Sequence, residues 1–502
     1  MLKNNIKQIS AKSAIFNYLG KTLTTGVDAA AFILITKKLM IDDYGVYSFS
    51  LAVLSFFAFF ISFGIPTSFL RFIPEYIEKN KRDTALSIIK LGLRIITISG
   101  FFLIISSFFI ADKISFIFKG MPLKELFPLL VFIGIWSIII KAEEEILNAL
   151  FLQVFRNICE VLAGLLKLFL FIIILRYRWG INGLLIAIAA VAVFQSLFYF
   201  KKIYAYFSGI KSQEKLSKPE LRRFSIYSLK EYLYIASAFF WDMSFDIYII
   251  AYLLGPVSTG FFSFASSISF FLLHWSPGVV LQPIVSPLFV RQYSKYNDPA
   301  ALNNLFQFYN KFKAFFAFPI IFGTWSLVDK FIMIVYHNKY DPAISTLKIL
   351  VLSVMILAFT IPIRNIFDIF EKNEFSLYSN IVIIYRICAS IILIKYFGII
   401  GAAYSYGSSM LLFFLIQLFL VRRIIKITYP IRSFLKILAN SLVMVLFLMV
   451  LKRFIGDSLF WLIATVMAGI LVYLFLSYIN KPFKKEERSL INEGLRFQAW
   501  HF

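Results

Sequence analysis

This 502-residue chain has little cysteine or histidine, and few acids beside its bases. Its two cysteines, Cys159 and Cys388, both fall inside long apolar runs, which excludes a disulfide framework or a CxxC metal site. Three histidines, His274, His337 and His501, stand singly and without metal-ligand spacing. Asp and Glu number 27 against 51 Lys and Arg, and charged residues make up 16% of the chain. Soluble proteins carry roughly 25%. No GxxxxGK[ST] run occurs, and no loop is long enough for an ATPase domain, so a nucleotide-driven pump is not expected. The outer loops are also too short for the catalytic groups of a polysaccharide polymerase or ligase, and His337 beside Asn338 and Lys339 reads as surface. The chain is not expected to be an enzyme and needs no resident cofactor.

What is abundant is apolar surface: 60% hydrophobic residues, 60 of them Phe, where globular chains average ~45–50%. Apolar runs of about 20 residues recur along the whole length, enough for a helix to cross a bilayer. A β-barrel would instead show ~10-residue alternating segments. The reading is an all-α polytopic membrane protein. Spans are expected near 14–37, 44–70, 86–111, 126–150, 153–176, 181–207, 224–254, 257–289, 311–336, 345–370, 374–396, 399–421, 432–452 and 458–479, about 14 in all. The first apolar stretch runs on to Leu39 without a small-residue cleavage site and reads as an uncleaved helix.

A net charge of +24 suggests nucleic acid, but the Lys and Arg sit at helix ends, so no nucleic-acid partner is expected. Lys201, Lys202, Lys211, Lys215, Lys218, Arg222 and Arg223 crowd one connection, and Arg422, Arg423, Lys484 and Lys485 fall on the same side. By the positive-inside rule both termini are cytoplasmic and the chain belongs in a plasma (inner) membrane. Lys37, Lys38 and Lys113 run against that bias.

The chain also repeats. Tyr44-Gly45-Val46-Tyr47-Ser48 returns as Thr259-Gly260-Phe261-Phe262-Ser263, Trp179-Gly180-Ile181-Asn182-Gly183 as Phe397-Gly398-Ile399-Ile400-Gly401, and Pro66 as Pro283, each roughly 215–218 residues on. Six spans separate the copies, which predicts two parallel-repeat six-helix lobes with the substrate site between them. The layout expected is an N-terminal lobe over 1–210, a basic cytoplasmic linker over 211–223 and a second lobe over 224–430. Two C-terminal helices over 431–480 and a tail over 481–502 complete it.

These motifs carry a resemblance. Asp43-Tyr44-Gly45-Val46-Tyr47-Ser48, Phe63-Gly64-Ile65-Pro66 and Arg71-Phe72-Ile73-Pro74-Glu75-Tyr76 resemble the opening of Wzx-type polysaccharide flippases, of the multidrug/oligosaccharidyl-lipid/polysaccharide exporter superfamily. Leu254-Gly255-Pro256 with Gly260-Phe261-Phe262-Ser263 is similar to their second-lobe opening. Asn148-Ala149-Leu150-Phe151 and the stretch from Leu393 to Ala403 resemble two further landmarks. The resemblance implies a flippase moving polyprenyl-(pyro)phosphate-linked oligosaccharide to the outer leaflet, with membrane lipids and polysaccharide polymerase or assembly proteins as partners. A multidrug-type exporter and a lipid-linked peptidoglycan precursor flippase are the alternatives.

Ionisable residues inside spans cost ~2.5–3.5 kcal/mol each at the centre and default to functional hypotheses. Asn17, Lys21, Thr24 and Asp28 form one polar stripe on the first span. Lys141 with Glu143, Glu144 and Glu145, and Glu160 with Lys167, lie in spans four and five. Asp242 and Asp246 are four apart in span seven, with Glu231 on the same face. Arg364 and Asp368 are spaced for an intrahelical pair, and Arg386 lies mid-span. Lys21, Lys141, Lys167, Arg364 and Arg386 are the candidate phosphate ligands. Asp28, Glu160, Asp242 and Asp246 are candidates for H⁺ or Na⁺ coupling. The bland alternative is that these charges only pair between packed helices.

Overall fold

The computed structural model describes residues 2–118, 120–210, 216–275, 299–370, 372–454, 456–495 and 502. Side chains are described from Gly20 onward, apart from those at 123, 234, 273–275, 368, 373, 490, 491 and 493–495. Asn17, Asp368, His274, His501, Pro277, Pro283 and Pro287 therefore lie outside what is described, and so does the proposed Arg364–Asp368 pair.

Among the described residues the regular structure is helical and no strand occurs. The helices are α1 (Leu2–Lys38), α2 (Ile41–Ser62), α3 (Ile65–Glu78), α4 (Arg82–Ile117), α5 (Leu123–Ala149), α6 (Gln153–Arg176), α7 (Gly180–Tyr206), α8 (Lys218–Phe239) and α9 (Ser244–Trp275). They continue as α10 (Pro299–Tyr336), α11 (Ile344–Ile369), α12 (Asn373–Ser379), α13 (Val382–Val421), α14 (Ile431–Leu451), α15 (Leu459–Asn480) and α16 (Lys485–Leu495). Eleven described helices are long and apolar enough to cross a membrane, against the fourteen spans expected. Two of the eleven carry breaks where the sequence separates consecutive spans. α9 turns at Gly255 (φ 79°) and α13 at Gly398 (φ 61°), left-handed conformations that glycine adopts without a Cβ clash.

Local chemistry accounts for other helix ends. α2 carries Asp42 and Asp43 in its first turn, where carboxylates suit the positive end of the helix dipole. It stops at Phe63, and α3 opens with Pro66 in its first turn, so the expected span 44–70 is two helices. α8 starts at a capping box: the Ser217 hydroxyl accepts from the Glu220 N–H at 3.4 Å, and the Ser217 N–H donates to Glu220 Oε2 at 3.2 Å. A turn over 240–243 then splits the expected span 224–254.

The chain divides into two compact units, Met1–Gly260 and Phe261–Phe502. In the first, α5 is central: Leu130, Ala142 and Ile146 are fully buried, and the helix packs on α2, α3, α4 and α7. α1 lies along α6, and α6 along α7. A seam joins α2 and α3 to α8 and the first half of α9. At one end a Cβ on Gly45 would lie 1.9 Å from the Pro256 carbonyl oxygen, and one on Gly260 2.3 Å from that of Ile41. The two glycines of the repeated motif thus let backbone meet backbone. In the middle the Ser68 and Ser228 hydroxyls are 2.8 Å apart. At the far end Arg223 donates to both oxygens of Glu75 at 2.8 Å, and Lys79 adds a third contact at 2.7 Å.

Glu75 lies outside the helices long enough to span. Hydrogen bonds from Arg223 and Lys79 hold its carboxyl down to about 2, from an ordinary 4.5. A depressed folded-state value adds stability above the ordinary value and loses it as pH falls toward the folded one. Wild type is therefore expected to melt above Glu75→Gln at pH 7, with the gap closing between about pH 4.5 and 2. A pH series of thermal unfolding in detergent reads this directly, and a gap constant with pH would refute it.

In the second unit α11 runs along α13, and α10 packs on α11, α14 and α15. Phe315, Phe318, Phe359, Tyr473 and Phe483 form its core, with the Tyr473 hydroxyl donating to the Phe315 carbonyl at 2.7 Å. Outer faces stay apolar. Phe108, Phe109 and Phe116 on α4, and Leu446 and Val450 on α14, are exposed, as lipid-facing residues are. The chain is a multi-pass helical membrane protein.

Candidate functional site

The first unit gathers charge between α1, α5 and α6. Lys167 Nζ of α6 donates to Asp28 Oδ1 of α1 at 2.7 Å, which ties together residues 139 apart in sequence. On α5, Lys141 Nζ lies 3.1 Å from Glu145 Oε1 and 3.8 Å from Glu144 Oε2. The Glu145 carboxylate accepts from Asn148 Nδ2 at 3.1 Å, and Asn148 Oδ1 accepts from Arg156 of α6. Arg156 also reaches Asn157 Oδ1 at 2.8 Å and Glu160 Oε1 at 3.0 Å. From Lys141 to Glu160 this is one continuous network.

Lys21 and Asp28 lie within electrostatic reach of Glu160, which joins the α1 stripe to that network. Four cations (Lys21, Lys141, Arg156, Lys167) thus face four carboxylates (Asp28, Glu144, Glu145, Glu160). The side chains are not sealed: Lys167 is 30% and Asp28 41% exposed. A sealed ion pair repays its desolvation only with excellent geometry, whereas a partly exposed pair carries a smaller desolvation cost. Around it, the Tyr199 hydroxyl donates to the Arg156 carbonyl at 3.3 Å and accepts from Gln195 at 3.0 Å. Glu143 turns away, buried and hydrogen-bonded to Ser196 of α7.

The structure therefore brings together Lys21, Asp28, Lys141, Glu160 and Lys167. The other candidates lie on other elements. Asp242 sits in the turn before α9, where its Oδ1 accepts the Ser244 N–H at 2.7 Å, while Asp246 is fully buried on α9. The single helical face expected for Glu231, Asp242 and Asp246 is not formed, because α8 ends at Phe239. In the second unit Arg364 is exposed on α11, and Arg386 of α13 is fully buried with its guanidinium 4.9 Å from the Tyr406 ring centre. That is a cation–π geometry. Arg156 is the network residue that sequence reasoning missed, although its i, i+4 spacing to Glu160 was a usable signal.

The second unit also has an open-sided cavity of about 590 Å³ among α9, α10, α14 and α15. Phe315, Pro319, Leu327, Phe331, Leu448 and Tyr473 line it, and its walls are nearly all apolar. Among the described residues no group of three or more His, Cys, Asp or Glu is placed to hold a metal ion.

Comparison with known proteins matches the sequence to a family. A family profile described as polysaccharide biosynthesis protein matches residues 35–345. The lipid II flippase MurJ of Thermosipho africanus (strain TCF52B) is 30% identical over 175 residues, 33% of this chain and 35% of that protein. The matched stretch thus spans about a third of that relative's length. Among solved structures, a lipid II flippase MurJ in an inward closed conformation superposes with a TM-score of 0.72 at 18% identity, over 97% of this chain and 100% of the other. An inward-facing multidrug resistance MATE family transporter of the MOP superfamily gives 0.66 at 16% identity, over 82% of this chain and 98% of the other. At such identities these structures show a shared fold. The profile match extends over more than half of the sequence, and the chain belongs to the polysaccharide biosynthesis protein family.

Proposed function

We propose that the protein is a flippase for polyprenyl-(pyro)phosphate-linked oligosaccharide, carrying it from the cytoplasmic to the outer leaflet by alternating access. The observation that carries this reading is the mixed-charge network of α1, α5 and α6, since a phosphorylated headgroup needs cations in a wet interior. The apolar cavity beside α14 and α15 supports it by suiting a lipid chain, which a small-molecule exporter would not require. Family membership supports the glycan, and both termini are assigned to the cytoplasmic face of the plasma membrane. The role is transport rather than catalysis.

Every cation of the network has a carboxylate in its neighbourhood. An incoming phosphate competes for Lys21, Lys141 and Lys167, and displaced carboxylates must take up H⁺ or Na⁺ to stay in a low-dielectric interior. Asp28 and Glu160 are assigned that coupling role. Arg364, Arg386, Asp242 and Asp246 remain candidates on separate elements. Polysaccharide polymerase or assembly proteins would receive the product outside.

A second reading, a lipid-linked peptidoglycan precursor flippase, is favoured by the stretch shared with the lipid II flippase. Cells lacking the gene separate the two. Loss of surface glycan with lipid-linked oligosaccharide retained inside supports the proposal. Intact surface glycan with arrested wall synthesis supports the second reading instead.

A further inference from the structure

The C-terminal helix places a carboxylate in an unusual seat. Lys311 of α10 is 1% exposed, and its ammonium donates to both carboxylate oxygens of Glu487, at 2.7 Å to Oε2. Glu487 belongs to α16, whose start it fixes by accepting the Lys484 N–H at 2.8 Å. Phe483, just before α16, packs on Phe315 with ring centres 5.5 Å apart. The tail is thus pinned to α10 at two neighbouring points, one ionic and one apolar.

The residues beyond Lys311 on α10 point to another occupant for this seat. Phe315, Pro319, Gly323, Leu327 and Phe331 recur at every fourth position and line the 590 Å³ cavity. Phe315 is one turn on from Lys311 and shares its face, so Lys311 stands one turn beyond the end of the cavity on α10. One cation a turn beyond an apolar cleft is complementary to an amphiphile with one anionic group and one chain. A carboxylate and a phosphate make the same charge-assisted bonds to an ammonium.

We propose that Lys311 is a seat for the phosphate of a single-chain phosphorylated lipid, and that Glu487 occupies it as a built-in competitor until such a lipid displaces the C-terminal helix. The chain's place in the cavity rests on the flippase reading above, whereas the phosphate seat and its competitor rest on Lys311 and Glu487 alone. Binding and tail release are therefore measurable without any transport.

The test uses the full chain in detergent micelles, with a short-chain prenyl phosphate as probe. The matching prenyl alcohol and inorganic phosphate are the controls. Glu487→Gln is expected to bind prenyl phosphate about tenfold tighter than wild type, and Lys311→Gln about tenfold more weakly, the scale of one charged hydrogen bond. In wild type the prenyl phosphate, and not the alcohol, is expected to raise backbone hydrogen exchange across α16. Lys311→Arg, which keeps the charge, serves if Lys311→Gln fails to fold, and is expected to retain binding. Equal affinities for wild type and Glu487→Gln with unchanged exchange in α16 would overturn the proposal. Inorganic phosphate alone producing the tenfold difference would overturn the lipid assignment. If the affinities shift as expected in a protein that moves no oligosaccharide, the seat stands and the flippase reading falls.

Discussion

Asp28→Asn is expected to slow transport of the lipid-linked substrate about tenfold or more while tightening its binding, because a freed Lys167 gains a charge-assisted bond to phosphate. Lys167→Gln is expected to lose affinity by a similar factor, and the double variant to behave like Lys167→Gln alone. The pair joins α1 to α6 at 2.7 Å and is partly exposed, so each side chain can exchange its partner for substrate or solvent. The charge-swapped variant, Asp28→Lys with Lys167→Asp, decides between a working site and a strut. A strut regains full transport on swapping. A phosphate ligand does not, because its cation has moved to the other helix. Binding of a soluble headgroup analogue and initial transport rates, measured on the same preparations, separate the two effects.

Gly45→Val is expected to be the most damaging single change to the fold. Its Cβ would lie 1.9 Å from the Pro256 carbonyl oxygen and 3.0 Å from the Gly260 nitrogen. These are backbone atoms that cannot swing aside like a flexible side chain. Overpacking a tight contact costs about 1–3 kcal/mol, and here the whole start of α2 must shift. Thermal unfolding in detergent is expected to drop by several degrees for Gly45→Ala and further for Gly45→Val. Gly26→Ala on α1 is the control, since nothing lies within 4 Å of its Cβ position. Wild-type stability in Gly45→Val would show that the two motif glycines do not meet as described.

Both motif glycines were visible in the sequence as a repeat, and so were the chain reversals at Gly255-Pro256 and Phe397-Gly398, because turn residues interrupt apolar runs there. Pairs on one helix were visible too: Lys141–Glu145 follows from i, i+4 spacing. The Asp28–Lys167 pair was not, since spacing carries no information about partners 139 residues apart, and both residues stood as separate charges.

Local breaks were the other blind spot. The stop at Phe63-Gly64 and the turn over 240–243 lie within continuous apolar sequence, where hydropathy alone reads one span. Glu231, Asp242 and Asp246 consequently seemed to share a face that the turn abolishes. Lys311 escaped notice because cations near a span's end usually snorkel to the interface. Its partner Glu487 lies in the tail 176 residues away, a distance over which spacing says nothing.

The central claim is that the charged interior of the first unit serves a phosphorylated headgroup attached to lipid. The most direct measurement places the purified protein in liposomes with a fluorescent polyprenyl-pyrophosphate oligosaccharide and follows its access to an external glycosidase. Wild type is expected to expose the inner-leaflet pool, Lys167→Gln to expose little beyond protein-free liposomes, and an unphosphorylated lipid glycan to stay inside. Equal rates for wild type, Lys167→Gln and protein-free liposomes would contradict the account.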